Sequence, residues 1–340
     1  MKRRMAMKKI IAVITMFLIT AIANIATFAL ENLHFDVLEN TYAPFIEARL
    51  SASKLEMFEE VYKSASSGKL LSEIDWDIGF QFAAGAGFGL EPTDRFKKFG
   101  LSLGGYGIWY FPANNRSVKD TDWDENGKTS SYGESVASAI AGMEAEGRFS
   151  LYIPLRNKYC IEPGVSVWYS RYAAMAHNGW TKQAAPGESL NDNAQKHPLY
   201  GTSMEYLQEW IVFAPELGFK IKLKKMFFGI KTAVSPLTWG YHVDNHYFRK
   251  FDNSDPNQRY INYTDRPKGG IYYKVQGECF WEITKSMQMG INFYYQAIEK
   301  ARGDTVTHTT GLVDDSYLDK GMAGAAIRNL GLGLTMRVIP

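Results

Sequence analysis

The chain has 340 residues, of which 22% are charged, with 38 Lys and Arg set against 36 Asp and Glu for a formal net charge of +2. So even a balance provides no strong field for nucleic acid or an acidic partner, and two cysteines are too few for a disulfide framework. An aromatic content of 14% with 30 glycines suits many strands and close backbone approaches.

The first segment, residues 1–29, opens with Lys2, Arg3, Arg4, Lys8 and Lys9, runs through an apolar stretch over 10–22, and ends in small residues. That is the grammar of a secretory signal peptide, with cleavage expected after Ala29 or Ala23. The apolar stretch is shorter than the ~20 residues of a spanning helix, and no later one is long enough either. Residues 30–340 read as a single domain, and a membrane span has to be built from strands closed into a barrel.

Alternation at period two follows. Ile74, Trp76, Ile78, Phe80, Phe82, Ala84, Phe88 and Leu90 are apolar, whereas Asp75, Asp77, Gly79, Gln81, Gly85 and Gly87 between them are polar or tiny. The same period recurs at Phe149, Leu151, Ile153 and Leu155, at Leu217, Phe219, Ile221 and Leu223, at Tyr273, Val275, Trp281 and Ile283, and at Leu330, Leu332, Leu334, Met336 and Val338. Strand parity puts Cys160 and Cys279 on opposite faces, which argues against a disulfide.

A soluble sandwich alternates too, so connection lengths decide. Links over 90–97, 155–158, 223–226 and 284–287 are short, and polar stretches over 63–71, 113–142, 173–205, 240–270 and 300–321 are long. Short turns on one rim and long loops on the other are how outer-membrane barrels are built. The expected fold is an all-β, ten-stranded antiparallel transmembrane barrel with short periplasmic turns and long extracellular loops. Lys220, Lys222, Arg148, Glu278 and Glu282 are expected to pair inside it and fill the lumen.

Two of the long stretches carry chemistry. One holds Asp120, Asp122, Asp124 and Glu125, the other His242, Asp244 and His246. Residues two apart in an extended segment point the same way, so Asp120 pairs with Asp122 and Asp244 with His246. A carboxylate beside an imidazole holds it in one tautomer and makes it a better base for water, and two carboxylates opposite could hold that water. Amide hydrolysis is the natural reaction class. The competing readings are a solvated acidic surface and a calcium loop; the latter fails because Glu125 stands where glycine is needed and Ser131 where a bidentate glutamate is. Zinc has no helical H-E-x-x-H run, Gly164-Val165-Ser166-Val167 lacks the final glycine of a serine-nucleophile elbow, and no metal or cofactor is expected.

Taken in order, Glu59-Glu60-Val61-Tyr62, Ile74-Asp75-Trp76, Asp120-Thr121-Asp122-Trp123, Ser170-Arg171-Tyr172, Asp244-Asn245-His246-Tyr247 and Gly324-Ala325-Ala326-Ile327 resemble the omptin outer-membrane proteases over most of the mature length. The resemblance implies a barrel in the outer membrane of a diderm bacterium, with a cleft at its extracellular rim that cleaves peptide or protein substrates at the cell surface. Asp244 and His246 would be the dyad that activates water, and Asp120 and Asp122 the pair that positions it. Glu59 would line the pocket for a basic residue beside the scissile bond, and Arg171 would contact lipid A, since lipopolysaccharide or another outer-membrane lipid supports activity in the family.

There are departures. His242 stands where the family has the second acid of the basic-residue pocket, Tyr169 replaces an acid beside Arg171, and no arginine follows near 210–213. The expected partners are peptide substrates and lipid, with no nucleic acid and the barrel acting as a monomer. A catalytically inactive surface adhesin and a narrow pore are the alternatives.

Overall fold

Thirteen strand segments, every neighbouring pair antiparallel, account for most of the described backbone in the computed structural model, which describes residues 42–185, 187–248, 260–309 and 316–339. The expected leader, residues 1–29, lies outside the described residues. In chain order the segments are β1 (Tyr42–Tyr62), β2 (Leu70–Pro92), β3 (Gly100–Tyr110), β4 (Ala113–Trp123), β5 (Thr129–Arg156), β6 (Tyr159–Gln183), β7 (His197–Leu223), β8 (Met226–Ser235), β9 (Thr238–His246), β10 (Ile261–Lys268), β11 (Tyr272–Thr284), β12 (Met287–Thr309) and β13 (Ser316–Val338).

These make a ring of ten strands, as expected. β3 and β4 both lie between β2 and β5. β8 and β9 both follow β7, and β10 and β11 both precede β12. Each of those pairs is one strand broken in the middle, and the β1–β13 ladder closes the ring. The breaks fall at Pro112, at Pro236 and at Gly269, whose φ is +71°. Proline has no N–H for a ladder, and a positive φ is glycine's to adopt. The backbone is paired across them: Phe111 N donates to Phe82 O at 2.9 Å, Phe213 N to Leu237 O at 3.1 Å and Gly269 N to Thr238 O at 3.1 Å.

An apolar belt marks the lipid. Ile46, Leu50, Phe80, Phe82, Phe88, Phe149, Phe213, Ile291, Phe293, Leu332 and Leu334 all point outward and are exposed. The belt reaches the short-turn rim at Leu155, Leu223 and Ile283, and ends on the other side at Trp109, Phe111, Trp239 and Tyr241. Crossing takes about 9–11 residues of tilted strand, yet β5 has 28 residues and β7 has 27. The remainder stands above the lipid as a water-exposed extension of the barrel.

Two expectations need correction here. The stretches over 113–142, 173–205 and 240–270 read as long loops, but most of their described residues are strand, so Asp120 and Asp122 sit on β4 and Asp244 and His246 on β9. Above the lipid the outer face is solvated and the inner face lines a polar cleft, so the sequence shows no alternation there. The even-numbered run from Ile74 to Leu90 is also not one face. Gly79, with φ at +70°, is the site of a bulge where the pairing slips from Leu55–Gly79 to Glu56–Asp77. Ile74, Trp76 and Ile78 are therefore buried inside the barrel, whereas Phe80, Phe82 and Phe88 face lipid.

The lumen is filled in layers. Low in the barrel, Arg148 meets Glu216 at 2.8 Å, Lys220 bridges Glu162 at 3.2 Å and Glu278 at 3.3 Å, and Arg337 holds Glu47 at 3.1 Å and Glu91 at 3.2 Å. Lys222 and Glu282, 3.8 Å apart, lie partly exposed near the rim and contribute little to the filling. Cavities of only about 50 and 20 Å³ remain among these charges. Above them lies an aromatic layer. Trp76 stacks on Tyr206 at 5.5 Å and Trp168 on Tyr272 at 5.6 Å, while Tyr110 meets Tyr172 at 5.4 Å. Cys160 is buried, Cys279 is half-buried, and both are free thiols.

The belt carries a depth-dependent prediction. Leu334→Arg, facing lipid on β13, should destabilise the refolded barrel by about 2–4 kcal/mol, and Leu318→Arg, outward on the same strand but above the lipid, by about 0–1 kcal/mol. Denaturant unfolding in liposomes measures both. Equal costs would contradict the assigned belt.

Candidate functional site

On β9 the inward residues descend from His246 through Asp244 to His242, two positions at a time. His246 Nε2 and Asp244 Oδ2 are hydrogen-bonded, and the imidazole meets Tyr263 of β10 edge-on with ring centres 5.4 Å apart. His246 lines a cleft of about 810 Å³ within the upper barrel, and Asp244 lies behind it, 1% exposed. One ring nitrogen is thus held by a buried carboxylate, and the other is left for a proton from the cleft.

Across the cleft, β4 presents Asp120 and Asp122, both lining it. In the upper ring β4 is separated from β9 by β5, β6 and β7 on one side. The acid pair and the His–Asp pair therefore stand on opposing walls. Between them Glu59 of β1 lines the cleft and is 4% exposed. Burial, followed by the charges of Asp244 and Asp265, holds its carboxyl well above the ordinary range.

His242 is placed differently from the other site residues. It is 1% exposed and does not line the cleft. Its ring sits edge-on to Trp210 at 4.8 Å and its Nδ1 lies 3.3 Å from Tyr206 Oη, within the aromatic layer. Burial lowers its pKa to about 3, so the imidazole is neutral. Gly240 is needed beneath it, because a Cβ there would come within 2.8 Å of His242 Nε2 and 2.7 Å of the Pro267 ring.

Arg171 is on the outer wall, outward from β6, half-exposed and paired with Glu209 of β7 at 3.2 Å. It belongs to the edge of the lipid belt and has no part in the cleft.

One buried acid of the cleft is absent from the sequence reading. Asp265 of β10 pairs in register with His242, is 5% exposed, and lines the cleft. Burial raises its carboxyl to about 7, against the opposing effect of a hydrogen bond from Thr305, with the charge of Asp244 adding to the rise. The alternation of Ile261, Tyr263 and Asp265 was the available signal, hidden because the segment read as loop. Among the described residues, Glu59, Asp244 and His246 are the group that could hold a metal ion, with one donor atom from each lying within 4.8 Å of the others. The hydrogen bond between Asp244 and His246 already engages a donor atom of each.

Comparison with known proteins adds family and fold. Residues 48–338 match the model of the Omptin family. The structure is similar to that of the outer membrane protease OmpT from Escherichia coli, at a TM-score of 0.76 and 17% identity over 88% of this chain and 97% of that one. Weaker likenesses include Neisserial surface protein A, at 0.29 and 9% identity over 88% and 98%, and the outer membrane protein OprG from Pseudomonas aeruginosa, at 0.30 and 8% over 86% and 95%. No curated protein sequence matches significantly. The matched family and the apolar belt place this barrel in the outer membrane.

The buried acid yields a stability prediction. A carboxyl whose folded pKa is raised keeps its proton in the folded state after the unfolded chain has lost it. Its contribution to stability is thus retained below about pH 4 and falls away as the pH climbs to about 7. Asp265→Asn should match the parent near pH 4 and be more stable at pH 8 by at least ~1.4 kcal/mol, the equivalent of one pKa unit. Urea unfolding in micelles at the two pH values checks this; a variant less stable at pH 8 would contradict it.

Proposed function

Because the chain belongs to the omptin family, we propose that it is an outer-membrane endopeptidase that hydrolyses peptide or protein substrates at the cell surface. The observation that carries the reading is the placement of Asp120 and Asp122 on one wall, and of His246 backed by Asp244 on the other, around one cleft above the lipid belt. A peptide laid through that cleft has its scissile carbonyl between the two walls.

In this mechanism His246 takes a proton from water as the oxygen attacks the carbonyl carbon. Asp244 orients the ring and stabilises the imidazolium that forms. The O–H that the water does not give to His246 donates to the Asp120 and Asp122 pair, which holds the water on the line of attack and spares the reaction the entropy of finding it. Collapse of the tetrahedral intermediate breaks the C–N bond, and the proton on His246 passes to the leaving amine. No covalent intermediate with the enzyme is formed.

The same reading gives lipid a role on the outer wall. Arg171 points outward beside Tyr169 at the belt edge. A lipid phosphate there competes with Glu209, whose exposed pairing with Arg171 is worth about 0–1 kcal/mol.

The test is kinetic. Refolded protein in lipid should cleave an internally quenched peptide, and His246→Ala and Asp244→Ala should each lower kcat/KM by about 10²–10⁴-fold, with circular dichroism and heat-modifiable migration showing an intact barrel. Undiminished turnover in both variants would overturn the mechanism.

A further inference from the structure

The near balance of charge over the whole chain conceals an imbalance between the two ends of the barrel. All four short turns carry cations. Lys97 and Lys98 lie on the β2–β3 turn, and Arg156 and Lys158 on or beside the β5–β6 turn. Lys224 and Lys225 are the whole of the β7–β8 turn, and Lys285 opens the β11–β12 turn. All seven are exposed, and the one exposed acid on these turns is Asp94. The ion pairs of this rim join Lys222 to Glu282, and Glu91 to both Arg95 and Arg337; none of the seven has a carboxylate partner among the described residues. At the opposite end of the barrel exposed Glu125, Glu188 and Asp192 are interspersed with Lys128 and Lys196.

The backbone holds these cations in place. Phe96 is buried and stacks on Phe227 at 5.8 Å, which anchors the β2–β3 turn against the end of the lumen. Lys97 N and Lys98 N both donate to Asp94 O, at 2.7 and 2.9 Å. The other turns are laced together: Lys222 N donates to Lys158 O at 2.8 Å, Glu282 N to Lys225 O at 2.8 Å and Ile339 N to Ser286 O at 2.9 Å. Arg156, Lys158, Lys224, Lys225 and Lys285 thus form one arc. Lys224 takes a left-handed backbone, with φ at +55°, where a two-residue hairpin normally has asparagine or glycine. The turn keeps two adjacent lysines in spite of that local strain.

Lipid lies directly beside the arc. Leu155 precedes Arg156, Leu223 precedes Lys224 and Ile283 stands two residues before Lys285, and all three are exposed at the edge of the apolar belt. A strand advances about 3.3 Å per residue, so the cations begin within about 3–7 Å of the hydrocarbon edge, at the depth of lipid headgroups. Their long side chains can reach a phosphate while the stems lie on apolar wall. We propose that the short-turn rim binds anionic phospholipid of the periplasmic leaflet, with the arc from Arg156 to Lys285 holding the phosphates of lipids that carry net negative charge. A zwitterionic headgroup brings a cation of its own, which the rim repels. Each lysine or arginine beside an anionic surface favours binding by about fivefold. This surface is separate from Arg171, which stands at the other edge of the belt, and it does not depend on the endopeptidase reading. Held in this way, the lower rim fixes the depth of the barrel and with it the height of the cleft above the opposite leaflet.

The experiment compares spin-labelled phosphatidylglycerol with spin-labelled phosphatidylcholine. The refolded full barrel is placed in phosphatidylcholine bilayers with a trace of either label, and electron spin resonance measures the motionally restricted fraction of each. The parent should select phosphatidylglycerol by about fivefold, and about 1 M salt, which shortens the screening length to about 3 Å, should bring the ratio close to unity. Replacing the arc by Arg156→Gln, Lys158→Gln, Lys224→Asn, Lys225→Gln and Lys285→Gln together should do the same at low salt, with circular dichroism and heat-modifiable migration showing an intact barrel. Asparagine suits the left-handed position, so the pair Lys224→Asn and Lys225→Gln alone should fold and still lower the ratio. Lys128→Gln with Lys196→Gln, at the other end, should leave it unchanged. Equal restriction of both lipids by the parent overturns the proposal, and selectivity retained by the five-site variant overturns the assignment to the rim. Selectivity lost to inorganic phosphate or to a soluble carboxylate polymer, at matched ionic strength, identifies a free anion or a periplasmic polyanion as the occupant and overturns the lipid.

Discussion

Backbone N–H and C=O groups that cross lipid have no water to turn to, and each one left unpaired costs several kcal/mol. A strand sheet meets that demand only by closing on itself, and in this chain closure comes from β1 pairing with β13. The demand also shapes the breaks. Pro112 and Pro236 fall at the belt's upper edge, near Phe111 and Trp239, where bonds from neighbouring strands satisfy the flanking amides. Above that edge the ladders continue into water. The same closed ring that satisfies the membrane thus holds β4 and β9 rigidly on opposite walls of a cleft. Functional groups on strands are fixed by two ladders each, which loops cannot match.

Layering of the lumen sets the chemistry of the cleft. The lower ion pairs are weak evidence for stability, since desolvation offsets most of their attraction, but they fill a ten-stranded lumen and leave only small voids. The aromatic layer above separates those cations from the acids of the cleft. Glu59 and Asp265 are therefore desolvated without compensation from Lys220 or Arg148, and both titrate above the ordinary carboxylate range. This interior is polarised along its axis, with mutually neutralised charge below and, in the cleft, acids with no lysine or arginine among the described lining residues.

Much of this was legible in the sequence. Strand period, short turns and the count of ten followed from residues such as Leu330 to Val338, where one face meets lipid and the other does not. The spacing of Asp120 with Asp122, and of Asp244 with His246, was enough to place each pair on one face. Two things escaped. Gly79 breaks the parity of β2 by a single bulged residue, and a run of apolar even positions on both sides of it conceals the change of face. Asp265 lies on an eight-residue strand whose short alternation, through Ile261, Tyr263 and Asp265, sits inside a long polar stretch that reads as loop. Only the register against β9 brings it to the site.

That register also explains why a histidine is tolerated at position 242. The ring is enclosed by Trp210, Tyr206 and the Gly240 backbone, an environment that strongly disfavours a fixed charge. A carboxylate at that position would be desolvated on the aromatic side with no cation beside it, whereas a neutral imidazole costs only its hydrogen bonds, one of which Tyr206 supplies. Directly opposed residues on neighbouring strands have Cβ atoms about 4.5–5.5 Å apart, and of this pair it is Asp265 that projects into the cleft, which His242 does not line. It does so from the side that carries Thr305, whose hydroxyl stabilises the carboxylate.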